Sequence, residues 1–278
     1  MKIKKHIPNA ITCCNLFCGC LGLLVTSWYQ LDYAFFFIIL AAFLDFFDGL
    51  FARILNVNSP IGKDLDSLAD MVTFGVLPGF IMFKMISLSI LEFDIDLAKD
   101  IYSSFRIGEP TLEAISNLGI NNLLYLTLPF IGFLIPVFSA IRLAKFNNDK
   151  RQTDSFIGVP TPANAILISS LALVLTNQYF WDIDFEYKKI LFNNYFLIGL
   201  TLLMSYLLIS ELPLFALKFK NFGWADNKIR YSFLIISVVL LVLFQFIAIP
   251  FIIFLYIILS IINNIINKHT QAPEHSNT

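Results

Sequence analysis

Two pairs of aspartates lie where two long apolar stretches of the chain meet. Asp45 and Asp48 stand at the end of one stretch, and Asp66 and Asp70 stand at the start of the next. Spacings of three and four residues place both members of each pair on one face of a helix. A carboxylate inside a membrane costs about 3 kcal/mol unless it is paired, hydrated or bound to a metal. These carboxylates therefore predict a cation site.

The residue types around the aspartates favour a hard divalent cation and a phosphorylated ligand. Carboxylate oxygens without nearby His or Cys favour Mg²⁺, Mn²⁺ or Ca²⁺ over zinc. Gly49 leaves the helix surface bare beside Asp48, so that a ligand can approach the backbone. Arg53, one helical turn further on, carries a positive charge that suits phosphate. The pattern indicates a divalent-metal site for a phosphorylated substrate.

The rest of the sequence predicts an all-α polytopic membrane protein. Of the 278 residues, 58% are hydrophobic and only 14% are charged, which excludes the polar surface that a soluble domain of this size needs. Eight apolar stretches are each near the length that crosses about 30 Å of hydrocarbon as a helix. They cover residues 10–29, 33–54, 67–90, 122–144, 161–180, 190–213, 231–247 and 249–267. We expect about eight transmembrane helices, the last two as a hairpin.

The positive charges predict the orientation of the chain in the membrane. If the N-terminus lies inside, most of the 19 lysines and arginines fall on the cytoplasmic side. We therefore expect both termini and the aspartates to lie on the cytoplasmic side of the cell inner membrane. The first apolar stretch is long enough to span and lacks a small-x-small cleavage site, so we expect a transmembrane helix there and not a cleaved signal peptide.

The aspartates are part of a longer pattern that resembles a known family. The segment Asp45-x₂-Asp48-Gly49-x₂-Ala52-Arg53-x₈-Gly62-x₃-Asp66-x₃-Asp70 contains every fixed position of the CDP-alcohol phosphotransferase motif. The resemblance implies a membrane enzyme that transfers a phosphatidyl or other phospho group from a CDP-linked donor to an alcohol and releases CMP. It implies that the four aspartates hold two divalent metal ions, Mg²⁺ or Mn²⁺, and that Asp70 is also the base. It further implies a homodimer, and nucleic acid has no role.

Further segments resemble the members of this family that use L-serine as the acceptor. Thr12 and Asn15 lie in a similar NxxTxxN opening, which is near the donor site in those relatives. Residues 67–78, 142–147 and 156–163 are similar to their DSLADxVSFGVxPA, RLARFN and FxGLPxPA segments. The departures are Thr73, Lys145 and Val159 within these ranges and Gly79 directly after the first. Relatives that accept glycerol phosphate typically have a lysine directly after the last aspartate, whereas Met71 stands here. The resemblance therefore implies CDP-diacylglycerol and L-serine as substrates, and a phosphatidylserine synthase activity.

The resemblance also suggests roles for individual residues and a division of the chain. The residues expected to bind the CDP donor are Gly49, Ala52, Arg53, Gly62, Thr12 and Asn15. Arg142 and Lys145 are the cationic candidates for the carboxylate of L-serine, but both are equally well explained as positive anchors at lipid headgroups. We expect a six-helix family core over residues 1–215, a transmembrane hairpin over residues 216–268 and a polar, disordered tail over residues 269–278.

Three other interpretations fit the sequence. In the first, the chemistry is the same but the acceptor is glycerol 3-phosphate, inositol phosphate or choline, because function depends on the pocket and not on the fold. In the second, the acids form the ion pathway of a divalent-cation transporter, which leaves Gly49, Ala52 and Arg53 without a role. In the third, the acids only cap helices or pair with Arg53 and Lys63.

Overall fold

The computed structural model describes residues 6–57, 59–93, 126–148, 155–176, 192–215, 223–224 and 227–271. Within these residues the chain is almost entirely helical. The α-helices are α1 (Ile7–Ser27), α2 (Leu31–Ile54), α3 (Pro60–Asp70), α4 (Leu77–Phe93), α5 (Leu134–Asn148), α6 (Thr161–Thr176), α7 (Asn194–Ile209), α8 (Lys228–Phe244) and α9 (Ala248–Gln271). Short 3₁₀ segments cover Leu128–Phe133 and Gln245–Ile247, and two short strands are β1 (Ser155–Ile157) and β2 (Pro213–Phe215).

Helices α3 and α4 form one continuous helical segment. Ser59 begins it, because its hydroxyl oxygen accepts a hydrogen bond from the Gly62 N–H at 2.9 Å, and Pro60 fits the first turn. A π-helical segment, Met71–Val76, joins α3 to α4 directly after Asp70. Such segments are rare and are frequent at functional sites. The apolar stretch predicted from residue 67 thus begins as a helix at Pro60.

The described helices match a protein that crosses a membrane several times. Five helical segments among them are long and apolar enough to span: Ile7–Ser27, Leu31–Ile54, Pro60–Ile90, Leu128–Asn148 and Lys228–Ile266. Helices α6 and α7 are apolar but shorter. The last segment contains α8 and α9, which pack against each other on the two sides of a break at Gln245, where φ is 48°. Each predicted apolar stretch therefore contains a helix, and the predicted all-α polytopic membrane fold is confirmed.

The predicted division of the chain is only partly covered by the described residues. Helix α9 continues to Gln271, past the predicted end of the hairpin at residue 268. Residues 216–222, directly after the predicted core boundary, and residues 272–278 of the predicted polar tail lie outside the described residues. The separation into a six-helix core and a hairpin stays a prediction.

The two short strands were not predicted from the sequence. They pair antiparallel, with Phe156 opposite Leu214. Helix α9 holds β2 in place, since the Tyr256 hydroxyl donates to the Phe215 carbonyl at 2.9 Å and the Asn264 amide donates to the Pro213 carbonyl at 2.6 Å. Strands of three residues between apolar helices have too little alternation to be recognised. The pair connects the segment before α6 to the C-terminal helices.

The helices that carry the aspartates share one set of packing neighbours. Helix α1 contacts both α2 and α3, and the π segment contacts α1, α4, α5 and α6. Fully buried apolar side chains from α2, α4 and α6, among them Ile38, Ile81 and Ile168, form the core beside these helices. This packing holds the C-terminal end of α2 beside α3. It therefore sets the position of the Asp45–Asp48 pair relative to the Asp66–Asp70 pair.

Replacement of Gly132 by alanine is expected to destabilise the protein. A Cβ atom at this position would lie 2.7 Å from the backbone nitrogen of Phe83 and 3.0 Å from the carbonyl oxygen of Gly79, and backbone atoms cannot move aside easily. Overpacking of this kind costs about 1–3 kcal/mol, so the thermal unfolding midpoint in detergent should fall by several degrees. Gly199→Ala in α7 is the matched control, because a Cβ there would meet nothing within 4 Å. Equal midpoints for the two variants would contradict the packing.

Candidate metal centre and adjoining cavity

Three of the four motif aspartates form one compact group of carboxylates. Asp45 and Asp48 project from the last turns of α2, and Asp66 projects from α3. One oxygen from each residue lies within 4.8 Å of the other two. Asp48 is buried, with 6% of its surface exposed, and the other two are half-buried. The spacing of three within α2 and the packing of α3 beside it bring together residues that are far apart in sequence.

Asp70 lies next to this group without being one of its three members. It stands one helical turn after Asp66, and its carboxyl group interacts with that of Asp45. Its Oδ1 atom is buried and has no hydrogen-bond partner within the described part of the chain. The structure thus brings all four predicted ligands together and leaves one oxygen of Asp70 available.

The donor set fits a hard divalent cation. At a separation of about 5 Å and an effective dielectric constant of about 20, each pair of like charges costs about 3 kcal/mol. Among the described residues the carboxylates of Asp45, Asp48 and Asp66 are the only group of three acidic, His or Cys side chains close enough to share an ion. All of the ligand atoms are carboxylate oxygens, which Mg²⁺ and Mn²⁺ prefer. A bound cation would therefore relieve the repulsion that this arrangement creates.

Thr12 of α1 orients one of the ligands. Its hydroxyl donates to Asp48 Oδ2 at 2.7 Å and also lies 3.1 Å from the Pro8 carbonyl oxygen. Both Thr12 and Asp48 are buried, so water does not compete with this contact. With one Asp48 oxygen held in this way, the orientation of the carboxylate is fixed and its other oxygen is available to a cation.

A cavity of about 530 Å³ opens beside Asp48 and Asp66. It is enclosed by the start of α1, the end of α2, the turn after α2 and the first turns of α3, and its lining residues are Pro8, Asn9, Thr12, Asp48, Gly49, Ala52, Val57, Ser59, Pro60, Gly62, Lys63 and Asp66. This volume lies in the range of small-molecule sites. The cavity therefore has room for a polar ligand that contacts the aspartate group at one side.

The two motif glycines of the cavity have different structural roles. A Cβ atom on Gly49 would meet nothing within 4 Å, so this glycine leaves open space at the cavity surface. A Cβ atom on Gly62 would lie 2.9 Å from Ser59 Oγ and 3.0 Å from Asn9 Oδ1. Gly62 therefore lies in close contact with the Ser59 cap and with Asn9 of α1, and this contact forms one wall of the cavity.

The structure separates the residues predicted to bind the donor into two sets. Thr12, Gly49, Ala52 and Gly62 line the cavity. Arg53 is exposed, and its Nε–H donates to the Gly49 carbonyl at 3.0 Å. Asn15 is fully buried, its backbone carbonyl accepts a hydrogen bond from Thr73 at 3.3 Å, and neither atom of its amide group has a partner in the described residues. Arg53 and Asn15 are not among the lining residues.

The two cationic acceptor candidates also differ in their surroundings. Arg142 of α5 is buried, with 7% of its surface exposed, and interacts electrostatically with Asp70. Its Nε has no hydrogen-bond partner within the described residues, and its guanidinium carbon lies 5.8 Å from the centre of the Phe146 ring. Lys145 is exposed. Only Arg142 is thus held close to the motif aspartates.

Sequence reasoning missed a polar link between α3 and the end of α5. The Lys63 amine, which lines the cavity, donates to the Asn147 carbonyl at 3.1 Å. The Asn147 amide donates to the Ser67 hydroxyl at 2.8 Å. The similarity of residues 142–147 to a family segment was the available signal, but it did not indicate a contact with α3. This link holds the helix that carries Arg142 against the helix that carries Asp66 and Asp70.

Comparison with known proteins finds relatives over most of the chain. A family profile described as CDP-alcohol phosphatidyltransferase matches residues 5–100. The chain is 32% identical over 212 residues to "CDP-diacylglycerol--serine O-phosphatidyltransferase" of Bacillus subtilis (strain 168), which covers 75% of this chain and 89% of the relative. It is 29% identical over 238 residues to the protein of the same name from Helicobacter pylori (strain J99 / ATCC 700824), which covers 85% of this chain and 79% of the relative. The matched residues include the whole aspartate group and the cavity.

Replacement of Asp66 by asparagine is expected to weaken the binding of a divalent cation. The change removes one negative charge and one anionic ligand from the group of three, so the dissociation constant for Mn²⁺ should rise by about tenfold or more. Equilibrium binding of Mn²⁺ to the purified protein in detergent measures this directly. Asp64→Asn is the matched control, since Asp64 lies in the same helix but is exposed and outside the group. Unchanged Mn²⁺ binding by the Asp66 variant would exclude it as a ligand.

Proposed function

Since the chain belongs to the CDP-alcohol phosphatidyltransferase family, we propose that it is a phosphatidylserine synthase. It transfers the phosphatidyl group of CDP-diacylglycerol to the hydroxyl of L-serine and releases CMP. The observation that carries this proposal is the position of the aspartate group at the side of a cavity of about 530 Å³. The relatives with which this chain aligns are named for the same reaction.

Asp45, Asp48 and Asp66 would hold a divalent metal ion, Mg²⁺ or Mn²⁺, and Asp70 would complete a second site. A divalent ion held there would supply positive charge to the phosphoryl oxygens and to the leaving CMP. Thr12 keeps Asp48 in position through its 2.7 Å hydrogen bond. The short distances between the carboxylates support a metal site. That two ions bind, and that they are Mg²⁺ or Mn²⁺, is part of the proposal.

The cavity beside the aspartates suits the CMP portion of the donor. Gly49 leaves open space for a ligand to approach α2, and Gly62 brings the first turn of α3 close to α1. Lys63 contributes a positive charge to this otherwise acidic cavity, which suits the phosphates of the donor. Arg53 and Asn15 were also predicted to bind the donor, but neither lines the cavity. Their role as donor ligands therefore has no support from the cavity.

Asp70 is placed to accept the proton of the serine hydroxyl. Its unpartnered Oδ1 is buried beside Asp45 and faces no competing donor within the described residues. As the serine oxygen forms its bond to the β-phosphorus, the bond from that phosphorus to the CMP oxygen breaks, and the serine proton passes to Asp70. Ser67, which directly follows Asp66, donates its hydroxyl to the Lys63 carbonyl at 3.2 Å and not to a carboxylate base, so we favour direct transfer over a covalent intermediate.

Arg142 is the better placed of the two cationic candidates for the carboxylate of L-serine. It is buried and interacts with Asp70, and its Nε has no partner among the residues that the structure describes, whereas Lys145 is exposed. A guanidinium group binds a carboxylate through two parallel hydrogen bonds. Serine bound there would direct its hydroxyl to the neighbouring Asp70. Met71, which follows Asp70, adds no charge that would attract a phosphorylated acceptor.

We place the enzyme in the cell inner membrane with both termini and the site on the cytoplasmic side, as the lysine and arginine distribution favours. A homodimer is the assembly that the family resemblance suggests. The transporter alternative is less well supported, because the carboxylates cluster at a cavity beside one helix end instead of lining a path between helices.

Purified protein supplied with CDP-diacylglycerol and Mn²⁺ or Mg²⁺ is expected to release CMP when L-serine is added. Glycerol 3-phosphate, inositol phosphate and choline should give little or no release, and a chelator should abolish the reaction. Asp70→Asn should reduce turnover by about 10²-fold or more while donor binding is retained, whereas Asp64→Asn should stay active. CMP release with a different alcohol and not with L-serine would show that the proposed acceptor is wrong. Full activity of Asp70→Asn would exclude Asp70 as the base.

Arg142→Gln is expected to raise the KM for L-serine by about 10- to 100-fold, because a hydrogen-bonded charge pair with the substrate carboxylate is lost. The KM for CDP-diacylglycerol should change little. Lys228→Gln is the control for removal of a cytoplasmic cation, since Lys228 begins α8 and is exposed. A rise with Lys145→Gln but not with Arg142→Gln would reverse the assignment of the acceptor cation.

A further inference from the structure

Helix α5 carries a buried hydroxyl that forms no hydrogen bond with the backbone of its own helix. Ser139 is fully buried, and its Oγ has no hydrogen-bond partner within the described residues. Three other buried hydroxyls bond to a carbonyl one turn earlier in their helix: Ser169 to Ala165 at 2.8 Å, Thr201 to Leu197 at 2.7 Å and Ser260 to Tyr256 at 2.8 Å. Ser205 and Ser237, on α7 and α8, resemble Ser139 in having no such bond within the described residues. Buried polar atoms are rarely left without a partner. The Ser139 hydroxyl is therefore available to a ligand.

The position of Ser139 connects it to the proposed acceptor site. It stands one turn before Arg142 on the same face of α5. A Cβ atom on Gly75 of the π segment would lie 3.2 Å from the Ser139 Cβ, so Ser139 packs directly on this segment. Asp70, at the start of the segment, interacts with Arg142. Ser139, Arg142 and Asp70 therefore border the same junction between α5 and the π segment.

L-serine has three polar groups to be recognised, and two of them are accounted for above. The substrate hydroxyl is directed to Asp70 and the carboxylate to Arg142. The remaining group is an ammonium, which needs a hydrogen-bond acceptor. A serine hydroxyl can accept such a bond, and Ser139 is an unpartnered buried oxygen on the face that carries Arg142.

We propose that Ser139 is a specificity-determining residue that accepts a hydrogen bond from the ammonium group of L-serine. This inference rests on the proposed function. Contacts at three different groups of the substrate distinguish the two enantiomers, whereas contacts at two groups do not. Ser139 therefore contributes both to the affinity for L-serine and to its selection over D-serine.

The test compares Ser139→Ala with Ser237→Ala in the full-length protein. Ser237 is the matched control, because its hydroxyl is also buried and unpartnered in the described residues but lies on α8 in the C-terminal helices. Ser139→Ala should raise the KM for L-serine by about tenfold or more, and lower the ratio of catalytic efficiencies for L- over D-serine. Ser237→Ala should leave both values unchanged.

Thermal unfolding separates a contact with the substrate from a structural role. Removal of an unsatisfied buried hydroxyl should keep or raise the unfolding midpoint of Ser139→Ala, although its KM for L-serine rises. An unchanged KM, or a rise that comes with a lower midpoint and an unchanged L-to-D ratio, would overturn the proposal. If the unmodified protein releases no CMP with L-serine, the proposed function itself fails; if it does and the two variants behave alike, only the role of Ser139 fails.

Discussion

The mutual repulsion of the motif aspartates is the constraint on which the rest of the site depends. Three carboxylates lie within 4.8 Å of one another among apolar helices, and Asp70 adds a fourth close by. Such a group is stable only when a cation can reach it, so the helices cannot close around it. The cavity between α1, the end of α2 and α3 provides that access. The hydrogen bond from Thr12 and the cap formed by Ser59 hold its walls in place.

The site has two sides, which meet at Asp70. On one side, α1, α2 and the first turns of α3 form the cavity that suits the nucleotide part of the donor. On the other side, the π segment packs on α5, which carries Ser139 and Arg142. The Lys63 and Asn147 contact ties the two sides together, because it fastens the end of α5 to α3. In the proposed reaction, Asp70 at this meeting point could contact the acceptor hydroxyl while it remains beside the other three aspartates.

The sequence predicted the parts of the site that follow from helix periodicity. Asp45 and Asp48 are three residues apart in an apolar stretch, so they had to lie on one face of a helix. Asp66 and Asp70 are four residues apart, and the same reasoning applies to them. It could not separate Arg142 from Lys145, since their different burial depends on which face of α5 meets the π segment. The same holds for Asn9 and Lys63, which reach the cavity only through the packing of α3 on α1. The π segment itself has no sequence signal, because its residues suit an ordinary α-helix equally well.

This arrangement explains why the motif identifies the chemistry better than it identifies the alcohol. All eight of its fixed residues belong to α2 and α3, and five of them line the cavity that we assign to the donor. Ser139 and Arg142, which we propose as acceptor contacts, lie on α5, a helix that the motif does not include. A change on α5 can therefore alter the acceptor without a change in the aspartates, and a chain can keep the complete motif while it uses another alcohol. In this chain we therefore expect selection for serine on the face of α5 that meets the π segment, where the Ser139 hydroxyl and the Arg142 guanidinium are buried one turn apart.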